Sequence, residues 1–147
     1  MDKYLINENT LVIMPYEDSK SKVIEKYITY VVENLPINII KESCLYYGSS
    51  LKGRCEATEY MIGIKYKCPI IISEVKELLF FPTTSLKNNT CIWFNYNSLK
   101  KYCQRNKQLF VELINNEEIY VEISNYAFSN QVLKTSRLDS ILKGKYR

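Results

Sequence analysis

Lys52 and Arg54 follow the turn Gly48-Ser49-Ser50 and flank Gly53. If residues 50–62 form a helix, its first turn carries these two cations and no acid. The free N–H groups of a first turn already present partial positive charge, so cations there oppose the helix dipole. An anion would reconcile them. Phosphate fits best, held by backbone N–H groups while Arg54 forks two oxygens. The plain alternative is that both side chains extend into water, since exposed dipole terms amount to only about 0.3–1 kcal/mol.

The helix follows from its neighbours. Leu51, Cys55, Thr58 and Ile62 fall on one stripe at 100° per residue, with Lys52, Glu56 and Glu59 opposite. Ser49 or Ser50 supplies an N-cap hydroxyl, and Gly63 sits where a left-handed residue ends a helix. A preceding helix over 36–47 opens with Pro36 and carries Ile37, Ile40, Cys44 and Tyr47 along one side until Gly48. The pair looks only weakly like a DNA-reading helix-turn-helix. Its second helix shows Glu56 and Glu59 where base-reading side chains belong.

Further cations gather downstream. Lys65 and Lys67 lie past the second helix, Lys87 and Asn88 in a polar loop, and Lys134 and Arg137 near the end. The densest group is Lys100, Lys101 and Arg105, which a helical reading of 98–104 places opposite Leu99, Tyr102 and Cys103. The net charge is only +4, yet residues 41–110 hold eleven basic and five acidic side chains. That +6 segment suits a polyanion, although charge asymmetry also describes an ordinary solvated face.

The 147 residues, 46% of them apolar, suit one domain with a full core and no membrane-length apolar run. Five cysteines without a secretory signal or C-x-x-C spacing point to the cytoplasm and to thiols packed mostly as small hydrophobes. With no histidine, a Ser-His or Cys-His nucleophile is excluded, and neither a metal nor a cofactor is expected. An enzyme holding a nucleotide on the Gly-Ser-Ser turn lacks the P-loop spacing and its following Lys-Ser or Lys-Thr.

The remainder reads as α+β, mainly antiparallel hairpins with a few short helices. Lys3–Asn7 and Thr10–Met14 predict a hairpin, Glu17–Lys22 a loop, and Val23–Glu33 one strand. CPIII and ELLFFPT predict two strands around a turn at Ser73–Lys76, and Thr90–Asn95 another. In 108–123, Leu109, Val111 and Leu113 share a face with Ile119, Val121 and Ile123 if the loop is Asn115-Asn116-Glu117. The last stretch, 125–143, predicts a helix along Phe128, Val132 and Thr135, then a second short one capped by Ser136 and Asp139 and ending at Gly144.

Several spaced words resemble the ComK competence transcription factors. They are Cys44 with Gly48-Ser49-Ser50 and Gly53-Arg54, Lys67 with Pro69-Ile70, Phe81-Pro82-Thr83, Cys91 with Trp93, and Phe128 with Asn130-Gln131-Val132 and Thr135. The resemblance implies an oligomeric activator of DNA-uptake genes that binds double-stranded, AT-rich promoter boxes through phosphates and the minor groove. RNA polymerase would be a further partner. Lys52, Arg54, Lys65, Lys67, Lys100, Lys101 and Arg105 are then the first candidates for DNA contact, and Lys87, Asn88, Lys134 and Arg137 the second. The sequence runs to Arg147 without the extended tail of the longer family members, so the resemblance does not carry adaptor-mediated proteolysis over to it. The competing reading is a protein-binding regulatory module, or a tail-less paralogue without full activator function.

Overall fold

The computed structural model describes residues 1–145. Its strands are β1 (Thr10–Tyr16), β2 (Lys20–Glu25), β3 (Thr29–Val32), β4 (Ile70–Ser73), β5 (Leu78–Pro82), β6 (Trp93–Asn95), β7 (Leu99–Arg105), β8 (Gln108–Leu113) and β9 (Glu118–Val121). Three helices accompany them: α1 (Pro36–Tyr46), α2 (Leu51–Ile62) and α3 (Asn125–Lys145). The class is α+β with wholly antiparallel pairing.

A six-stranded sheet in the order β3-β2-β1-β6-β5-β4 is buried on both faces. Strand alternation divides its apolar residues between two cores. Ile13, Val23, Ile70, Phe80 and Trp93 pack with Ile39, Ile40 and Cys44 of α1. Val12, Ile24, Phe81 and Phe94 point the other way, onto Leu109, Val111 and Leu113 of a second sheet, β7-β8-β9, and onto Phe128 of α3. Burial on both faces is why CPIII and ELLFFP read as unbroken apolar runs. A third cluster joins Ile62 of α2, Ile71, Leu79, and Leu138 and Leu142 of α3. It fixes the far half of α3 against the end of α2.

The helical ends behave as their residues dictate. Ser50 Oγ accepts the Gly53 N–H at 2.9 Å, and Gly63 closes α2 at φ 70°. Gly48 also needs its freedom, at φ 95°. Gly53 matters for space instead, because a Cβ there would lie 3.1 Å from both Ser49 Oγ and Ser50 Oγ.

Five expectations are corrected. Lys3–Asn7 is not a strand: Ile6 N–H is taken by Ser43 Oγ at 3.0 Å, which ties the segment to α1. The first hairpin is therefore β1–β2, and the expected loop at Glu17–Lys22 shrinks to a tight turn before Lys20, with Glu17 at φ 53°. Val23–Glu33 is two strands, since Glu25 N–H bonds the Ile28 carbonyl at 2.8 Å and reverses the chain. Residues 98–104 are not a helix but strand β7, after a short 3₁₀ turn at Tyr96–Ser98. Finally, α3 is one helix of 21 residues, not two. Its buried side chains run through Phe128, Gln131, Thr135, Leu138 and Leu142, so no break falls at Ser136.

In the β8–β9 hairpin the expected faces are kept but the register moves by two residues. Leu109 pairs with Val121 and Val111 with Ile119, and Leu113 N–H meets the Glu117 carbonyl at 2.8 Å. The loop is thus Ile114-Asn115-Asn116, with Asn116 left-handed at φ 72°.

Candidate nucleic-acid interface

The sequence candidates fall into three places with different electrostatic surroundings. At the start of α2, Lys52 is exposed and has no ion-pair partner among the described residues. Arg54 turns inward. Its side chain is only 14% exposed, and its Nη1 lies 3.4 Å from Glu74 Oε1. Its Nε is buried without a hydrogen bond. The Gly53 N–H is occupied by the Ser50 cap. Arg54 therefore already faces a carboxylate, and the anion-binding capacity of this helix end is largely used within the chain.

The second place is β7. As a strand it sets Lys101, Cys103 and Arg105 on the outer face of the small sheet, across from Glu112, Phe110 and Gln108. Lys100 Nζ and Lys101 Nζ lie 3.2 and 3.6 Å from Glu112. The hydrogen bond from Lys100 is the chief reason the Glu112 carboxyl is held below the usual carboxylate range. Arg105 pairs with Glu118 and stacks its guanidinium 4.2 Å above the Phe110 ring. All three cations here lie within ion-pair reach of one of two carboxylates, Glu112 or Glu118.

The third place is the loop between α2 and β4 where it meets α3. Lys67, Lys134 and Arg137 line one cleft of about 440 Å³ together with Tyr126, Asn130 and Leu133. Lys65, Lys67 and Lys87 line a neighbouring cleft of about 330 Å³ with Tyr66 and Ser85. Neither cleft has an acidic residue in its wall. The nearest compensation is Glu59, 3.7 Å from a Lys65 that is 81% exposed, and such exposed pairs contribute little. Burial, and then the neighbouring Lys67 charge, depress the Lys134 ammonium below the usual lysine range. Two cations forced together without an acid constitute a site that favours an anion. Asn88 lies apart from these clefts, in the wall of a larger one near the start of α1 that also contains Lys87.

One buried side chain assembles this place. Gln131 is fully buried, and its Nε2 donates to the Lys67 carbonyl at 3.0 Å and to the Pro82 carbonyl at 2.7 Å. Its Oε1 accepts from Lys134 Nζ at 3.0 Å. Lys67 itself is held at a left-handed φ of 50°. Gln131 thus ties the loop and β5 to α3 and positions both lysines. Arg137, one turn further along α3, reaches the Ile62 carbonyl at 3.5 Å.

A model of the ComK protein family matches residues 1–147. The chain belongs to this family. It is similar to the competence transcription factor of Bacillus subtilis (strain 168), being 31% identical over 142 residues that cover 94% of this chain and 74% of that protein. No solved structure matches the chain. The ComK-like words of the sequence now have places. Gln131 joins three of them directly, through Lys67 ahead of Pro69-Ile70, through Pro82, and through its own stretch on α3. Phe81, Trp93, Phe128 and Thr135 are buried, so most of the words maintain the frame that carries the cations.

Sequence reasoning missed Tyr66, Tyr126 and Asn130 as members of this surface. Tyr66 and Tyr126 are 67% and 77% exposed, too open to serve as core. The alternation Lys65-Tyr66-Lys67 was the available signal, a basic–aromatic interleaving in one short loop. No helix among the described residues is long and apolar enough to cross a membrane.

Proposed function

We propose that this protein is a cytoplasmic, DNA-binding transcription activator of competence genes, and that it grips duplex phosphates with Lys65, Lys67, Lys87, Lys134 and Arg137. One observation carries the assignment of the surface: five cations line two adjoining clefts whose walls hold no carboxylate. Family membership and the name of the Bacillus subtilis relative supply the regulatory role. Lys52 and Asn88 flank this grip as outer contacts. Arg54, Lys100, Lys101 and Arg105 contribute general positive potential, because each already faces an acid.

The reading extends to AT-rich boxes contacted through the minor groove. Glu56 and Glu59 are exposed on α2, and carboxylates in a major groove would meet phosphate repulsion unless paired with cytosine amino groups. The cations occupy two loops and one helix face, which suits bridging the two phosphate rows of a narrow groove. Asn130 and Arg137 are the side chains placed to reach base edges between them. A domain making such contacts discriminates weakly alone, so several protomers on repeated boxes provide specificity, with RNA polymerase recruited by the assembly.

Fluorescence anisotropy on AT-rich and GC-rich duplexes tests this reading. Log affinity should fall with log salt at about −0.9 per phosphate neutralised. A minor-groove ligand selective for AT tracts should displace the protein, while methylation of guanine N7 should change little. A salt slope near zero, or the reverse competition pattern, contradicts it and favours a protein-binding module.

A further inference from the structure

Cys55, on the inner side of α2, and Cys68, two residues before β4, meet beneath the loop that carries Lys65 and Lys67. Both side chains pack in the same core cluster, and the Cys68 thiol donates to the Ile64 carbonyl at 3.3 Å. Both line the 330 Å³ cleft, which gives a small solute access to a pair otherwise enclosed by the core. The other three cysteines lack this combination. Burial pushes the fully buried Cys44 thiol up to about 11, Cys91 is likewise raised by burial, and Cys103 stands exposed on the distant outer face of β7.

The pair is chemically unequal. The interaction with Cys55 lowers the Cys68 thiol, with Lys134 adding to it against burial and the Glu59 carboxylate, while the same interaction and burial raise that of Cys55. A thiolate near a cation, with a second thiol in the same cleft to resolve it, is the arrangement of a peroxide-reactive cysteine.

We propose that Cys55 and Cys68 form a peroxide-sensitive dithiol whose closure to a disulfide releases DNA. The Cys68 thiolate attacks one oxygen of hydrogen peroxide and breaks the O–O bond, giving a sulfenic acid and, after proton uptake, water. The Cys55 sulfur then attacks the Cys68 sulfur and expels hydroxide, which takes the Cys55 proton and leaves as a second water. Each sulfur loses one electron and the peroxide gains two. Bringing the two sulfurs to an S–S bond of about 2.05 Å draws α2 and the start of β4 together. Lys67 adjoins Cys68 at a left-handed φ of 50° and is tied to α3 through Gln131, so the movement reaches the phosphate grip. This last step rests on the function proposed above; the dithiol chemistry does not.

The test uses the full chain carrying Cys103→Ser, which removes the exposed thiol. Titration with hydrogen peroxide, followed by intact mass and mapping after alkylation, should show a decrease of about 2 Da and one peptide pair joining Cys55 to Cys68. Affinity for an AT-rich duplex should fall at least about fivefold on oxidation and return with dithiothreitol. Adding Cys68→Ser should abolish both effects. Disulfides joining other cysteines, or no 2 Da decrease, overturn the dithiol. A Cys55–Cys68 disulfide with unchanged DNA affinity overturns the switch. Reduced protein without any DNA affinity refutes the function proposed above and with it the switch, while the mass data still decide the dithiol. Mapping of the Cys103→Ser protein needs no further variant, so poor folding of Cys68→Ser would not obscure the result.

Discussion

The β7 strand and the α3 cleft each gather three cations, and they differ in what lies across from them. On β7, neighbouring strands bring Glu112 and Glu118 to within ion-pair reach of Lys100, Lys101 and Arg105. In the cleft, Lys67, Lys134 and Arg137 share their walls with Tyr126, Asn130 and Leu133 and with no acid. The strand is denser in charge along the sequence, yet its cations are matched by acids and those of the cleft are not. Local charge density along a chain does not set the field at a surface; the cross-strand or cross-helix neighbour does.

The difference can be broken at its support. Gln131→Leu leaves the Lys67 and Pro82 carbonyls without their shared donor, which should cost about 2–6 kcal/mol of stability at about 1–3 kcal/mol per orphaned group. It should also remove most DNA affinity, because Lys67 and Lys134 lose their shared anchor. Chemical denaturation and anisotropy on the same sample check both. Unchanged DNA affinity at reduced stability would show that the cleft is not the grip.

Arg54→Ala sharpens the comparison from the side of α2. Since Arg54 is 14% exposed and faces Glu74, the damage should appear mainly in folding, about 1–3 kcal/mol, with DNA affinity changed by less than about twofold once folded protein is compared. A tenfold weaker binder of unchanged melting temperature would instead place Arg54 on phosphate.

Lys134→Gln should do the opposite. Affinity should fall about tenfold, with the salt slope shallower by about one, while the melting temperature holds or rises. The sign follows from the depressed lysine. Its destabilising cost is fully present at neutral pH and shrinks as pH rises through the lowered folded value towards 10.5. The stability advantage of the variant should therefore narrow in alkaline buffer, as followed by thermal melts across pH. The smallest effect belongs to Glu112→Gln, which frees Lys100 and Lys101. DNA affinity should rise by about twofold or less, the modest return expected from one exposed ion-pair network.

The frame was legible where single residues carry strong local rules. Pro36, Ser50 and Gly63 mark α1 and α2 because each has one conformational or capping use. The apolar runs of β4 and β5 announced two-sided burial. Strand β7 was illegible for a specific reason. A β-bulge between Leu99 and Lys101 lets Leu99 and Tyr102 face the same core, and that i, i+3 coincidence imitates a helix. The break expected at Ser136 arose because Ser-Arg-Leu-Asp satisfies a capping box on paper, whereas Leu138 and Leu142 continue the buried side of α3. The candidate site was legible only as a set of charges. Lys67 and Lys134 stand out in the sequence as cations, but nothing there shows that a buried glutamine brings them together or that Glu74 reaches Arg54.

The central claim is that the cleft, and not the strand, holds phosphate. Two triple variants decide it, Lys67→Gln/Lys134→Gln/Arg137→Gln and Lys100→Gln/Lys101→Gln/Arg105→Gln, each measured by anisotropy on an AT-rich duplex from low to high salt. The first should flatten the slope of log affinity on log salt by about 2 to 3, at about 0.9 for each phosphate no longer neutralised, and the second by less than about one. Equal slopes for both variants, or a larger change in the strand variant, would contradict the account.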